Sequence, residues 1–551
     1  MKLLSITAVL LLASTPVFAK HPKIAQDLEA ANPSSNVDVI VQFKHAPTDA
    51  HHKKITDRGG QLKRELGIIK GSHYSVLASK LKDLADDPDV AYISPDRPVN
   101  AADTPTIFDY KLQGVTADIA QKYGWNGKGI GVAVIDSGIS DRPDLHGPNG
   151  YRVVHAENLI MGGSAVDTYG HGTHVAGIVG GTGGQSQGAY PGVAPKVNLI
   201  NFLVLDKTGS GTDSAVIAAI SRAIQLRSQY NIRVINLSLG RPVFQSYTVD
   251  PLCQAVEAAW KAGIVVVVAA GNDGRNNSQN TNGYGTIMAP GNDPYVITVG
   301  AMKTEGSASR SDDLIASYSS KGPTLLDHVA KPDLVAPGNL IVSVLGSGTL
   351  PNKYKANVTY TAYFVLSGTS MAAPTVSGAA ALLLQQNPNL TPDQVKARLM
   401  KTATKTFPAF SVATEPVTGI SYTSQYDMFT IGAGYLDIWA ALNNTDLVPS
   451  RAGSALSPTV SYDPASGNVY VNSTSVAVWD SSAVWAVNAI WGSSVFVNGT
   501  RTNAIWGSRT NAVWGSNGTQ GFNAVWGSTA LWNSSTNSST EGLSVALNGE
   551  K

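Results

Sequence analysis

The chain has 551 residues, too many for one compact core, so more than one domain is expected. Its 40 Lys and Arg against 39 Asp and Glu give a net charge of +1, which leaves no basic surplus for nucleic acid or an anionic membrane. A single cysteine, Cys253, excludes an intramolecular disulfide framework, and within PLCQAVEAAWKAG it reads as a small buried hydrophobe.

At the N-terminus, Lys2, the apolar run LLSITAVLLLA and the small-residue site Val17-Phe18-Ala19 form the three parts of an export signal over residues 1–19. The run is short of the about 20 residues that a membrane span requires. GIVVVVAAG has only the length of a buried strand. The expectation is a secreted, extracellular protein with no membrane contact.

A charge-dense unit follows over residues 36–100. Strand patterns at 37–41 with Phe43, at 73–77 and at 90–93 alternate with helical patterns at 49–65 and 80–85. A β-α-β-β-α-β or similar split order, a small α+β ferredoxin-like module, fits that alternation.

Over residues 105–445 the pattern changes. GIGVAVID, VNLINFLVL, VINLSLG and IVVVVAAGN are near-continuous apolar runs, as expected of parallel strands covered on both faces. SAVIAAISRAIQLRSQ and PLCQAVEAAWKAG lie between them with helical spacing. The fold class implied is α/β, a doubly wound, mostly parallel sheet with ligands beyond the carboxyl ends of its strands.

After about Pro449 the composition shifts to Ser, Asn, Thr, Gly and Trp. The hexad Asn-Ala-(Ile/Val)-Trp-Gly-Ser recurs at Asn488, Asn503, Asn511 and Asn523, with spacings of 15, 8 and 12 residues that are too irregular for a strict solenoid. This tail, 450–551, reads either as a β-rich module or as a weakly ordered, disordered segment. Its tryptophans could bind a surface or polysaccharide, pack against protein, or serve export.

Four segments carry the chemistry: VAVIDSGI around Asp136, YGHGTHVAGIVGG around His171, VVVVAAGND with Asn272, and SGTSMAAP around Ser370. A serine hydroxyl is a poor nucleophile and needs a base within hydrogen-bond reach, for which His171 is the candidate. Asp136 would fix the imidazole tautomer and stabilise the imidazolium. Ser370 opens a long apolar helix, SMAAPTVSGAAALLLQQ, whose N-terminal N–H groups can meet an oxyanion. Pro374 falls early in that helix, where its missing N–H costs least. The esterase elbow Gly-x-Ser-x-Gly fails here, because the segment is Gly368-Thr369-Ser370-Met371-Ala372.

The order Asp, His, Ser and the four segments together resemble the subtilisin-like (subtilase, peptidase S8) serine protease family. The resemblance implies a serine endopeptidase of broad specificity acting on proteins or peptides, with Asn272 supplying the oxyanion-hole side chain. Residues 36–100 would be an inhibitory propeptide, cut off between about Asn100 and Pro105, and the chain a self-processing zymogen. Ser238, Leu239 and Gly240 match the segment that pairs with substrate backbone, and Ala269, Ala270 and Gly271 the lining of the pocket before the scissile bond. Small residues there suggest a roomy pocket for large apolar side chains. The second histidine, His174, reads as structural. The resemblance implies no cofactor for chemistry, but structural calcium is common in the family. Asp144 matches one ligand position and reads equally as a helix-cap or turn residue.

Overall fold

The computed structural model describes residues 21–25, 28, 33–96, 109–160, 162–278, 281–415, 419–463, 468–472, 496–497 and 545–550. The export-signal residues, the junction at 97–108 and the four tryptophan hexads lie outside these. The chain forms two compact units, residues 1–106 and 107–551.

In the first unit, four strands form an antiparallel sheet in the order Gln61–Leu66, Gly71–Leu77, Asn36–Phe43, Val90–Pro95. Helices Asp49–Thr56 and Leu81–Ala85 complete a strand-helix-strand-strand-helix-strand order along the chain. Val39, Val41 and Phe43 alternate onto the buried face and meet Tyr74, Val76, Leu81, Leu84 and Ile93 there. The expected helix at 49–65 stops at Thr56. Gly59 takes φ +82°, and at Gly60 a Cβ would come within 2.5 Å of Ile55 Cγ2, so the chain must turn there. Residues 61–66 then form an exposed edge strand, and their polar sequence QLKREL carries no apolar alternation that would mark it.

The second unit is built on a sheet in the order Leu314–Ile315, Ile297–Lys303, Val265–Ala269, Ile232–Leu237, Gly131–Asp136, Asn198–Leu203, Val153–Asn158, and Leu334–Pro337 also pairs with Ile297–Lys303. All neighbours are parallel except the two-residue edge Leu314–Ile315. Every residue of Gly131–Asp136 and Val265–Ala269 is buried, which is why both read as unbroken apolar runs. Helices Asp213–Gln225 and Pro251–Lys261 pack on each other and on these strands. So do helices His171–Gly180 and Thr369–Gln386. The first parallel strand in the chain, Gly131–Asp136, lies between the third and fourth: the second and third strands lie on one side of it, and the chain then crosses to the other side for the fourth. The carboxyl end of Gly131–Asp136 is therefore at the switch point where such sheets bind ligands.

Packing does not stop at residue 445. Ala455, Val460 and Val471 belong to the core of this unit, as do Val545 and Leu547. Ser457 Oγ donates to Asp333 Oδ1 at 2.5 Å, inside a fully buried cluster where Lys331 and Lys396 approach the same carboxylate at 2.7 and 3.3 Å. The boundary expected at 445–450 thus falls inside the packed unit. Polar residues such as Ser457 gave it no apolar signature.

Candidate active site

Asp136 ends its strand, and His171 opens helix His171–Gly180. His171 Nδ1 donates to Asp136 Oδ1 at 2.7 Å, with the histidine side chain 15% exposed and the aspartate 1%. An acceptor on Nδ1 fixes the proton there and leaves Nε2 as the basic nitrogen. Burial alone would lower the His171 pKa, but the Asp136 charge and hydrogen bond outweigh it and hold the imidazole above its ordinary value.

The turn that delivers His171 is held by a residue the sequence reading missed. Asp167, fully buried, accepts at Oδ1 from Ser137 Oγ, Tyr169 N and Gly170 N at 2.9, 3.0 and 2.7 Å. Its Oδ2 accepts from Thr173 N and Oγ1 at 2.9 and 2.6 Å. One carboxylate thereby satisfies N–H groups at the start of the histidine helix and ties that helix to the Asp136 loop through Ser137. An aspartate four residues before a predicted helix start was the available signal.

Ser370 lies at the start of helix Thr369–Gln386, and from Thr369 to Leu384 it is the only residue not buried. His171 is likewise the only residue of its helix not buried. The two helices pack together, so each presents one reactive side chain from an otherwise enclosed element. Ser370 Oγ donates to the Ser238 carbonyl at 3.1 Å, and Ser238 Oγ donates to the Ser370 carbonyl at 2.8 Å. Pro374 explains the second bond. It sits inside the helix and has no N–H for the carbonyl four residues back, which is that of Ser370. Ser238 supplies the missing donor. Of the expected substrate-pairing segment, Ser238 is therefore engaged with the backbone of Ser370.

Thr369 N and Oγ1 both donate to Asn272 Oδ1, at 2.9 and 3.1 Å. A backbone N–H can only donate, so the amide oxygen must face Thr369 and Nδ2 is the group the site presents. Thr369, also missed in the sequence, thus orients Asn272. Ala269 and Ala270 are buried, and Leu239 packs against the core. Between the 238–240 and 269–271 segments lies Met288. A Cβ on Gly240 would stand 3.1 Å from Met288 Cβ, and one on Gly271 2.8 Å from Met288 Cγ. Gly240 and Gly271 thus both abut a methionine, which the neighbours Ala269, Ala270 and Gly271 could not reveal.

His174 is buried with Nε2 at 3.1 and 2.9 Å from the Ile341 and Phe364 carbonyls, and burial pushes its pKa down to about 3. It is a neutral structural donor. Burial, reinforced by Asp293 and Asp250, pushes the Cys253 thiol well up, and Sγ donates to Asn292 Oδ1 at 3.3 Å. Asp144 meets a protein donor on each carboxylate oxygen. Its Oδ1 accepts from Gln185 N at 2.8 Å, and its Oδ2 accepts from the Tyr363 hydroxyl. Among the described residues no three His, Cys, Asp or Glu side chains group together, so any calcium there would need backbone or amide oxygens as well.

The sequence pattern of the Subtilase family (Peptidase_S8) matches residues 127–419. Serine protease AprX of Bacillus subtilis (strain 168) is 44% identical over 285 residues, 50% of this chain and 62% of its own length. Subtilisin E of the same organism is 36% identical over 401 residues, 72% of this chain and 92% of its own. The Extracellular serine proteinase of Thermus sp. (strain Rt41A) is 36% identical over 342 residues, 61% and 71% of the two chains. The matched span contains Asp136, His171, Asn272 and Ser370, and the chain belongs to the subtilase family of serine proteases.

Proposed function

We propose that the chain is a secreted serine endopeptidase, made as a self-processing zymogen, that hydrolyses peptide bonds of proteins with broad specificity. The observation that carries this reading is the pair of enclosed helices whose only unburied residues, over the spans given above, are His171 and Ser370, with His171 on Asp136 at 2.7 Å. As substrate enters, the Ser370 hydroxyl turns from the Ser238 carbonyl toward His171 Nε2; such hydrogen bonds commonly tighten only in the substrate complex. Ser370 Oγ attacks the scissile carbonyl while Nε2 takes its proton, and Asp136 stabilises the imidazolium. The oxyanion accepts from Asn272 Nδ2 and from the Ser370 N–H at the helix start. His171 then returns the proton to the leaving amine, and water repeats the sequence on the acyl-enzyme. Nothing in this chemistry requires a cofactor.

Leu239 and Gly240 would pair with an extended substrate backbone, which gives affinity independent of sequence. Ala269, Ala270 and Gly271 would line the pocket for the side chain before the scissile bond. Met288 crosses it, so slim or flexible apolar side chains fit better than the large ones first expected. Residues 36–100 would act as the propeptide. Its release is intramolecular and so independent of protein concentration. The test is N-terminal sequencing of wild-type and Ser370→Ala proteins from a protease-deficient host. Wild type should begin between about Asn100 and Pro105, and Ser370→Ala should remain joined to residues 36–100. A Ser370→Ala protein cut at the same bond would overturn self-processing.

A further inference from the structure

Residues 545–550, more than 170 positions after Ser370, are packed into the catalytic unit directly behind the oxyanion site. Glu550 is 4% exposed although it carries a carboxylate. Its Oε2 accepts from Arg275 Nη2 and Ser317 N, both at 2.9 Å, and from Ser317 Oγ. Lys303 Nζ lies 3.3 Å from Oε1. Its backbone exchanges two bonds with the Asn339 side chain: Glu550 N donates to Oδ1 at 2.8 Å, and Nδ2 donates to Glu550 O at 2.7 Å. Upstream, Ser367 N donates to Ala546 O at 2.8 Å, Asn357 Nδ2 donates to Leu547 O at 2.5 Å, and Val545 and Leu547 enter the core.

The partners of this segment are the roots of the catalytic turns. Arg275 is three residues beyond Asn272, and the 271–275 stretch is bonded to 317–320 through Gly274 N to Tyr318 O, Asp273 N to Ser320 Oγ and Ser320 N to Gly271 O. Arg275 Nε to Ser317 Oγ, at 2.7 Å, closes that ladder, and Glu550 caps it. Ser367 is three residues before Ser370, and Gly368 N donates to Gly338 O beside Asn339. One short peptide therefore joins the turn bearing the oxyanion amide to the turn bearing the nucleophile.

We propose that residues 545–550 are an intrachain ligand, and that the Arg275–Ser317–Asn339 socket is a peptide-binding site whose occupancy holds Asn272 and Ser370 in register. The socket takes a Gly-Glu pair preceded by two alternating apolar residues. Glycine is required at 549: its φ is +62°, and a Cβ would meet Leu340 Cδ2 at 2.6 Å and Ser367 Oγ at 2.7 Å. Glutamate is required at 550 because Arg275 and Lys303, each 7% exposed, share its carboxylate; without it, among the described residues, Lys303 keeps Glu305 and Arg275 has no carboxylate partner. Arg275, Asn339 and Glu550 are positioning residues, since none touches the reacting atoms.

Two full-chain variants test this, Glu550→Gln and Gly549→Val, assayed well below their melting temperatures for kcat and KM separately. The proposal expects kcat to fall at least tenfold with KM within twofold, because substrate contacts are intact while the oxyanion donor and nucleophile lose register. Gly549→Val displaces its own segment, so a synthetic peptide of residues 544–551 should restore kcat in a saturable manner, and the same peptide with Gln at 550 should not. A Glu550→Gln kcat within twofold of wild type overturns the proposal, as does a folded Gly549→Val protein that has wild-type kcat or that the peptide fails to restore. Should Gly549→Val not fold, Glu550→Gln decides: a kcat within twofold of wild type refutes the proposal, and a selective loss of kcat upholds it.

Discussion

The two halves of the active site are built differently. Asp136 and His171 are already joined at 2.7 Å, and the turn between them is fastened by five hydrogen bonds to the buried Asp167. Ser370 and Asn272 are held instead by each other's neighbours: Ser238 answers the nucleophile's backbone and hydroxyl, and Thr369 answers the amide. The proposed base is thus preassembled, whereas the proposed nucleophile rests on a carbonyl that it would have to leave. Disturbing the first half should change chemistry and pH dependence together, and disturbing the second should change turnover with little effect on pH dependence.

The largest effect should come from Asp136→Asn. Loss of the carboxylate favours the wrong tautomer and should lower kcat by about 10⁴-fold, the size seen in the template case for this triad. The pH profile sharpens the same point. His171 works as a base only when neutral, and Asp136 holds its pKa up, so the acidic limb of kcat/KM should lie above the ordinary histidine value of about 6.5. In Asp136→Asn the lowering effect of burial is opposed only by the smaller raising effect of the Asp167 charge, and the limb should move down. A residual rate with an unmoved limb would dissolve the distinction between the halves.

In the other half, Asn272→Ala should cost about 10²–10³ in kcat, a range taken from the subtilisin case itself, while the pH limb stays where it is. Thr369→Val keeps the backbone bond to Asn272 but removes a hydroxyl that donates to Asn272 Oδ1 and accepts from Gly271 N. Two hydrogen bonds of about 1 kcal/mol each correspond to a loss of roughly thirtyfold. Steady-state kinetics on one peptide substrate ranks the two, and a Thr369→Val loss as large as that of Asn272→Ala would mean that Thr369 does more than orient the amide. The smallest change should be one of preference. Met288→Gly should raise kcat/KM for Phe over Ala before the scissile bond by roughly tenfold, the lower end for added apolar groups in a pocket. A cleavage profile over a peptide library reads this directly.

The legibility of the fold followed physical range. Strands such as Val265–Ala269 and Gly131–Asp136 were evident because burial on both faces writes an unbroken apolar run into the sequence. The four candidate positions, Asp136, His171, Asn272 and Ser370, stood out because each sits in a small-residue setting with its own local pattern. What was hidden depends on distant partners. Edge strand Gln61–Leu66 carries polar residues and gains its identity only from pairing with Gly71–Leu77. Ser457 and Glu550 lie in stretches of tail-like composition, and only the buried cations and donors far upstream make them part of the core. Met288 was missed for the same reason, since the glycines it abuts, Gly240 and Gly271, are 17 or more residues away.

The account stands on Ser370 being the nucleophile activated by the His171–Asp136 pair. The most direct measurement is peptide mapping after reaction with a fluorophosphonate, followed at several pH values. The account predicts a single modification on Ser370, at a rate that rises through the raised His171 pKa and falls by orders of magnitude in Asp136→Asn. Modification of another residue, or labelling of Ser370 at a rate indifferent to both pH and Asp136, would contradict it.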